Sequence, residues 1–108
     1  YAATMGAVRM FTKAAAVEFG TLGLQLRIKS IHPGTVDTAF AAQCLTELGE
    51  AGFASSPDAA RAAIRAAHPI GDMAQGDDIA DAIVFLASDL SRFMTGSEML
   101  VDGGYTAQ

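Results

Sequence analysis

Residues Leu26–Gly34 read "LRIKSIHPG", and the fold turns on how this stretch is taken. A short β-like run is stopped by a proline, which lacks the N–H a ladder needs, and by a glycine that lets the chain turn. The pattern predicts a strand over Leu26–Ile31 that delivers His32, Pro33 and Gly34 to its C-terminal edge. Upstream, Tyr1 to about Phe19 holds no proline, is rich in alanine and is closed by Gly20 and Gly23, which predicts a helix with a glycine stop. Its apolar positions, Val8, Met10, Phe11, Ala14, Ala15 and Phe19, spread beyond one stripe, so the helix is expected to be covered on two sides, by a sheet and by something else. Downstream, Thr35–Phe53 shows little periodicity and is read as a mobile loop. "SPDAARAAIRAA" then starts a short helix, with Ser56 as N-cap and Pro57 at its first position. "GDDIADAIVFLAS" is a clearer helix: Asp77 and Asp78 stand where the helix dipole favours acids, and Ile79, Ile83, Leu86 and Ala87 share a face. "TGSEMLVDGG" brings a turn at Thr95-Gly96 and a second strand around Met99–Val101.

Helix and strand signals alternate, as in an α/β protein. Two strands cannot make a stable doubly wound sheet, because parallel strands are covered on both faces and need neighbours. The expectation is a larger parent domain whose earlier strands lie outside this chain. At 108 residues the chain is one domain or a piece of one. Hydrophobic residues at 51% against 18% charged exclude a disordered segment. No apolar run approaches the roughly 18 residues of a membrane span, and no leader pattern with a basic start and apolar centre is present, so the expected chain is soluble, with no membrane partner. A net charge of -5 with scattered Lys and Arg argues against nucleic acid. Cys44 is alone and cannot close an internal disulfide, which makes a reducing cytoplasm the expected setting.

Four segments then carry a resemblance through their order and spacing: "YAATMGAV" at Tyr1–Val8, "HPGTVDT" at His32–Thr38, "IADAIVFLASDLSRFMTGSEMLVDGG" at Ile79–Gly104, and the tail "GGYTAQ". Together they resemble the C-terminal part of a short-chain dehydrogenase/reductase. The similarity spans essentially the whole chain and less than half of such a subunit. The last fourteen residues further resemble bacterial alcohol dehydrogenases that interconvert ketones and secondary alcohols, although related sugar and cyclic-alcohol dehydrogenases end similarly. The resemblance implies that residues 1–108 are the C-terminal part of a single Rossmann-type domain, a doubly wound parallel sheet with flanking helices, and that the N-terminal cofactor-binding half is absent. It implies NAD or NADP as cofactor, a small-molecule alcohol or ketone as substrate, and a homotetramer when intact.

Residue by residue, the resemblance places Tyr1 at the position of the catalytic acid/base, which moves a proton at the substrate oxygen while hydride passes to or from the nicotinamide. A free phenol titrates near pH 10. The family sets a lysine four residues later on the same helix face, about 5–6 Å away, which favours the phenolate and donates to the cofactor ribose. Here that position is Met5, whose thioether carries neither charge nor donor. A cation that lowers a phenol's pKa by about 1–3 units is worth about 10- to 1000-fold in phenolate population. Arg9 lies eight positions on, about 12 Å along the helix axis from Tyr1, and Lys13 beyond it, so neither replaces the lysine. In the second segment, Pro33 and Gly34 turn the chain across the cofactor at the strand end. Val36 is implied to offer backbone groups to the nicotinamide carboxamide, and the Thr38 hydroxyl to bind the carboxamide or pyrophosphate.

Other residues are read more plainly. His32 and His68 are far apart in sequence and in no His-x-x-x-His pattern, so both are assigned to packing and no metal site is assigned. Cys44 has no His–Asn context and is read as a small apolar filler. "HPIGDMAQGDD" departs from the family's usual arginine and proline, with Asp72 and Gly76 in this turn. Phe40, Leu45, Leu48 and Phe53, within Ala39–Ala67, are expected to wall an apolar substrate pocket. Two functions remain open at this point: an alcohol/ketone oxidoreductase, or a catalytically impaired homologue that contributes contacts to an oligomer.

Overall fold

The structure, a computed structural model, describes residues 2–108, so Tyr1 lies outside the described residues. The elements run α1 (Ala2–Thr21), β1 (Lys29–Pro33), α2 (Ala39–Glu50), α3 (Pro57–Ala67), α4 (Gly76–Ala87), a 3₁₀ turn at Asp89–Ser91, and β2 (Ser97–Val101). β1 and β2 pair in one sheet. The Gly96 N–H donates to Ile28 O at 2.7 Å and the Gly34 N–H to Val101 O at 2.9 Å, so pairing advances the same way along both strands and the sheet is parallel. The chain is therefore α/β, as expected. It divides into two compact units, one reaching to His32 and including Asp81–Leu100, the other comprising Pro33–Ala80 and Val101–Gln108.

In the first unit α1 ends where Gly23 takes φ +71, a left-handed cap that only glycine adopts without strain. Thr12, Ala15 and Ala16 are the buried residues of α1. Cover on two sides is not what this chain provides: Met10, Phe11 and Val17 are each more than 60% exposed, and the small buried residues form one narrow stripe. The β2 residue Glu98 accepts from Arg9 Nε at 2.6 Å and from Lys13 Nζ, tying α1 to the strand. The Lys13 ammonium, with Arg9 adding, holds the Glu98 carboxyl below its usual range. The C-terminal end of α4 is closed by cations, which suit its free carbonyls and dipole. Lys29 donates to Leu86 O at 2.5 Å and to Ser91 Oγ at 2.7 Å, and Arg27 donates to Ser88 O at 3.1 Å. Partial burial, and then the nearby Arg27 charge, lower the Lys29 pKa.

β1 starts at Lys29, three residues after the predicted Leu26, and runs through Pro33. Ile28 is taken up by the turn before β2, its N–H donating to Thr95 Oγ1 at 3.1 Å. Pro33 is tolerated at the end of the strand because the next donor into the ladder is Gly34.

The second unit corrects the reading of Thr35–Phe53 as a loop. Ala39–Glu50 is a helix whose N-cap is Thr38, with Oγ1 accepting the Ala41 N–H at 3.2 Å. Ala41, Cys44, Leu45 and Leu48 stand at i, i+3, i+4 and i+7, a short helical row that the reading as a loop overlooked, with Leu45 its buried member. α2 packs on α3. α3 starts as expected, with the Ser56 hydroxyl accepting the Ala59 N–H and Pro57 following. Leu45, Ala60, His68 and Met73 are buried in this unit. Among the described residues no helix is long and apolar enough to cross a membrane.

Candidate functional site

The segment that follows β1 is shaped by three backbone bonds. Gly34 N–H reaches Val101 O, Ala74 N–H reaches Thr35 O at 3.0 Å, and Asp37 N–H reaches Ala74 O at 2.8 Å. The last two make a parallel bridge that brackets Val36. Groups on neighbouring residues of an extended chain alternate in direction, so the N–H and C=O of Val36 itself point away from Ala74. Among the described residues neither has a partner. Two residues on, Thr38 is exposed, and because its oxygen accepts from Ala41 its hydroxyl proton remains available as a donor. Pro33, Gly34, Val36 and Thr38 thus stand in sequence along one rigidly bonded stretch.

Gly34 is where this stretch is packed most closely. A Cβ built there would lie 2.8 Å from His68 Nε2, 2.9 Å from Asp102 Cα and 3.1 Å from Asp102 O. His68, 3% exposed, uses both ring nitrogens: Nδ1 lies 2.7 Å from Ile64 O, and Nε2 accepts the Thr35 N–H at 3.2 Å. The Tyr105 ring lies against it, with centroids 5.1 Å apart at a tilt of 39°. Asp102 folds the tail by accepting from Thr106 Oγ1 at 2.6 Å and from the N–H groups of Gly104 and Thr106. These bonds, the Thr106 hydroxyl first, depress the Asp102 pKa. Ile70 N–H donates to Gly103 O at 3.1 Å, and Gln108 Nε2 donates to Ala67 O at 2.9 Å.

Asp37 binds α3 through a two-pronged pair with Arg61, at 2.8 and 3.1 Å. The Arg61 guanidinium holds the Asp37 carboxyl below its ordinary value, and Arg65, bonded at 2.8 Å, does the same for Asp72. Of the residues expected to wall a substrate pocket, Leu45 is instead a core residue at 3% exposure, while Phe40 and Phe53 are 76% and 80% exposed. Met5 lies in α1, and the next two cations on that helix, Arg9 and Lys13, are committed to Glu98. Tyr1, the expected acid/base, is outside the described residues. An open depression of about 320 Å³ in the first unit is lined by Arg27, Lys29, Ile31, Ile83, Leu86 and Ala87, and its two cations already serve the end of α4. Among the described residues no group of three or more His, Cys, Asp or Glu side chains is placed to hold a metal ion.

The sequence reading missed the grip of His68 on Thr35 and of Arg61 on Asp37. Each joins residues far apart in the chain, and neither has a local pattern. The only available sign for His68 was its place between α3 and a proline, which a packing histidine shares.

A parallel sheet that hands a Pro-Gly turn and an extended, outward-pointing backbone to one edge is the arrangement of a dinucleotide-type α/β fold. The model of the family described as Enoyl-(Acyl carrier protein) reductase matches residues 1–106, and the chain belongs to the short-chain dehydrogenase/reductase family. It is similar to a cyclopentanol dehydrogenase of Comamonas testosteroni, 40% identical over 99% of this chain and 38% of that protein. It is also similar to an NADP-dependent (R)-specific alcohol dehydrogenase of Lentilactobacillus kefiri, 38% identical over all of this chain and 38% of that one. Among solved structures, a short chain dehydrogenase family protein from Francisella tularensis superposes with a TM-score of 0.85 at 36% identity, covering 95% of this chain and 41% of that one. The chain thus spans about two fifths of the length of the relatives it matches.

Proposed function

We propose that this chain is the C-terminal part of a single-domain oxidoreductase that moves a hydride between NAD or NADP and a secondary alcohol or ketone. The observation that carries the reading is Val36: its N–H and C=O point away from their own bridge and lack partners among the described residues, so one donor and one acceptor are offered side by side. A primary amide such as the nicotinamide carboxamide needs that pair. The residues present therefore suit the cofactor's nicotinamide end, with Pro33 and Gly34 bending the chain towards it, Val36 binding the carboxamide and the Thr38 hydroxyl donating alongside. The bound cofactor would supply the hydride. Tyr1 would move the proton at the substrate oxygen. Met5 supplies no charge to favour the phenolate, and with Arg9 and Lys13 held by Glu98, α1 offers no replacement. The substrate would be a small alcohol or ketone, with exposed Phe40 two residues after Thr38. Cys44, free and half-buried, suits a reducing cytoplasm.

Two measurements on the intact protein test this. Thr38→Val is expected to weaken dinucleotide binding about tenfold by calorimetry, with Thr38→Ser near the parent value. Parent-like binding by Thr38→Val would count against the cofactor assignment. Met5→Lys is expected to raise ketone reduction by about 10- to 1000-fold. No gain across a panel of ketones would show that Met5 is not what limits the chemistry.

A second reading has its own observation. Met5 in place of lysine favours an impaired homologue whose contribution is subunit contact. We also propose a homotetramer for the intact protein, as the family resemblance implies. A clean monomer by light scattering at micromolar concentration would refute it.

A further inference from the structure

We infer that His68 is a positioning residue for the cofactor-facing segment, a role that rests on the reading of Val36 and Thr38 above. Ile64 O, 2.7 Å from Nδ1, can only accept, so Nδ1 carries the ring hydrogen. Nε2 is then left with its lone pair, aimed at the Thr35 N–H 3.2 Å away. The carbonyl of Thr35 is meanwhile held by Ala74 N–H. Thr35 is therefore gripped at both its N–H and its C=O, and the next residue is Val36. The same Nε2 lies where a side chain on Gly34 would go, so the ring also limits where the chain before Thr35 can move.

The ring is itself held in place. It is 3% exposed, stands at the C-terminal cap of α3 with its own N–H donating to Arg65 O at 3.1 Å, and meets Tyr105 on another side. α3 and the tail thus fix His68, and His68 fixes the Gly34–Thr35 peptide, the link next to the Thr35–Val36 peptide that Ala74 holds and that carries the Val36 N–H. Here an apolar ring of equal size would leave a Thr35 N–H without an acceptor.

The test uses the intact protein and direct dinucleotide binding by calorimetry, with melting temperature measured alongside. His68→Asn keeps an amide donor near the place of Nδ1 and cannot reach Thr35. His68→Gln sets an amide oxygen near the place of Nε2. We expect His68→Asn to weaken binding about tenfold and His68→Gln to recover most of it. Equal weakening in both variants would overturn the role, since rescue depends on the acceptor. Parent-like binding by His68→Asn, with Thr38→Val weakened, would overturn the positioning role and leave the cofactor reading intact. If Thr38→Val also binds normally, the cofactor reading falls and this inference with it. Should neither His68 variant fold, hydrogen exchange at the Thr35 amide of the cofactor-free parent decides: a protected amide is expected, and rapid exchange would overturn the proposal.

Discussion

Replacing Gly34 with alanine should be costly for steric reasons alone. The new Cβ would stand 2.8 Å from His68 Nε2 and 2.9 Å from Asp102 Cα, with Asp102 O at 3.1 Å. A side-chain atom can yield by rotation, but Asp102 Cα cannot, because the Gly34 N–H to Val101 O bond and the folded tail hold that backbone. Overpacking of this kind costs about 1–3 kcal/mol. In a folded chain of about 150–250 residues each kcal/mol lowers Tm by about 2–4 °C, so a fall of about 2–12 °C is expected for the intact protein. Calorimetric melting of Gly34→Ala, His68→Ala and the double variant separates the two contacts. His68→Ala removes the closer one and leaves Asp102 Cα where it was, so the double variant should remain less stable than His68→Ala. Full recovery in the double variant, or an unchanged Tm in Gly34→Ala, would refute the reasoning.

Gly103→Ala combines a left-handed φ of +57 with a Cβ 2.7 Å from Ile70 Cγ2, so it should lower Tm, and adding Ile70→Ala should recover only the steric part. Leu45→Ala removes the buried side chain of α2 at 3% exposure, and denaturant unfolding should show a loss of about 2–5 kcal/mol, with faster proteolysis between α2 and α3. The Glu98 carboxyl is depressed in the folded protein, chiefly by Lys13, so its contribution is present above the ordinary glutamate pKa of about 4.3 and is lost as pH falls through the lower folded value. Glu98→Gln should therefore melt below the parent at pH 7, and the gap should narrow as pH falls below the ordinary glutamate range; a gap that does not narrow at all on acidification would show that the charge is not its cause.

Backbone punctuation made much of the fold readable. Pro33-Gly34 marked the end of β1, Gly23 the end of α1, and Ser56-Pro57 the start of α3, because each acts through its own dihedral limits or hydrogen bonds and needs no distant partner. α2 was overlooked because its apolar row, Ala41, Cys44, Leu45 and Leu48, is only two turns long and has one buried member, and because its best local mark, Thr38, also matched a cofactor contact. At the site, the sequence placed Pro33, Gly34, Val36 and Thr38 on one stretch, and the structure adds the direction of the Val36 groups, which depends on Ala74 far along the chain. The roles of His68, Arg61 and Asp102 depend on meetings across long separations, for which a single sequence carries no signal.

Those separations have a kinetic meaning. The Thr35–His68 bond closes over 33 residues and the Ala67–Gln108 bond over 41, whereas the caps of α2 and α3 close over three. Closing a long loop costs entropy before its contacts return anything, so local turns form early and the stretch from Gly34 to Thr38 is expected to set late in folding. Contacts that are absent from the transition state govern the rate of unfolding rather than that of folding. Damage at Gly34, His68 or Asp102 should therefore leave the protein folding at its normal speed while shortening the lifetime of its folded state.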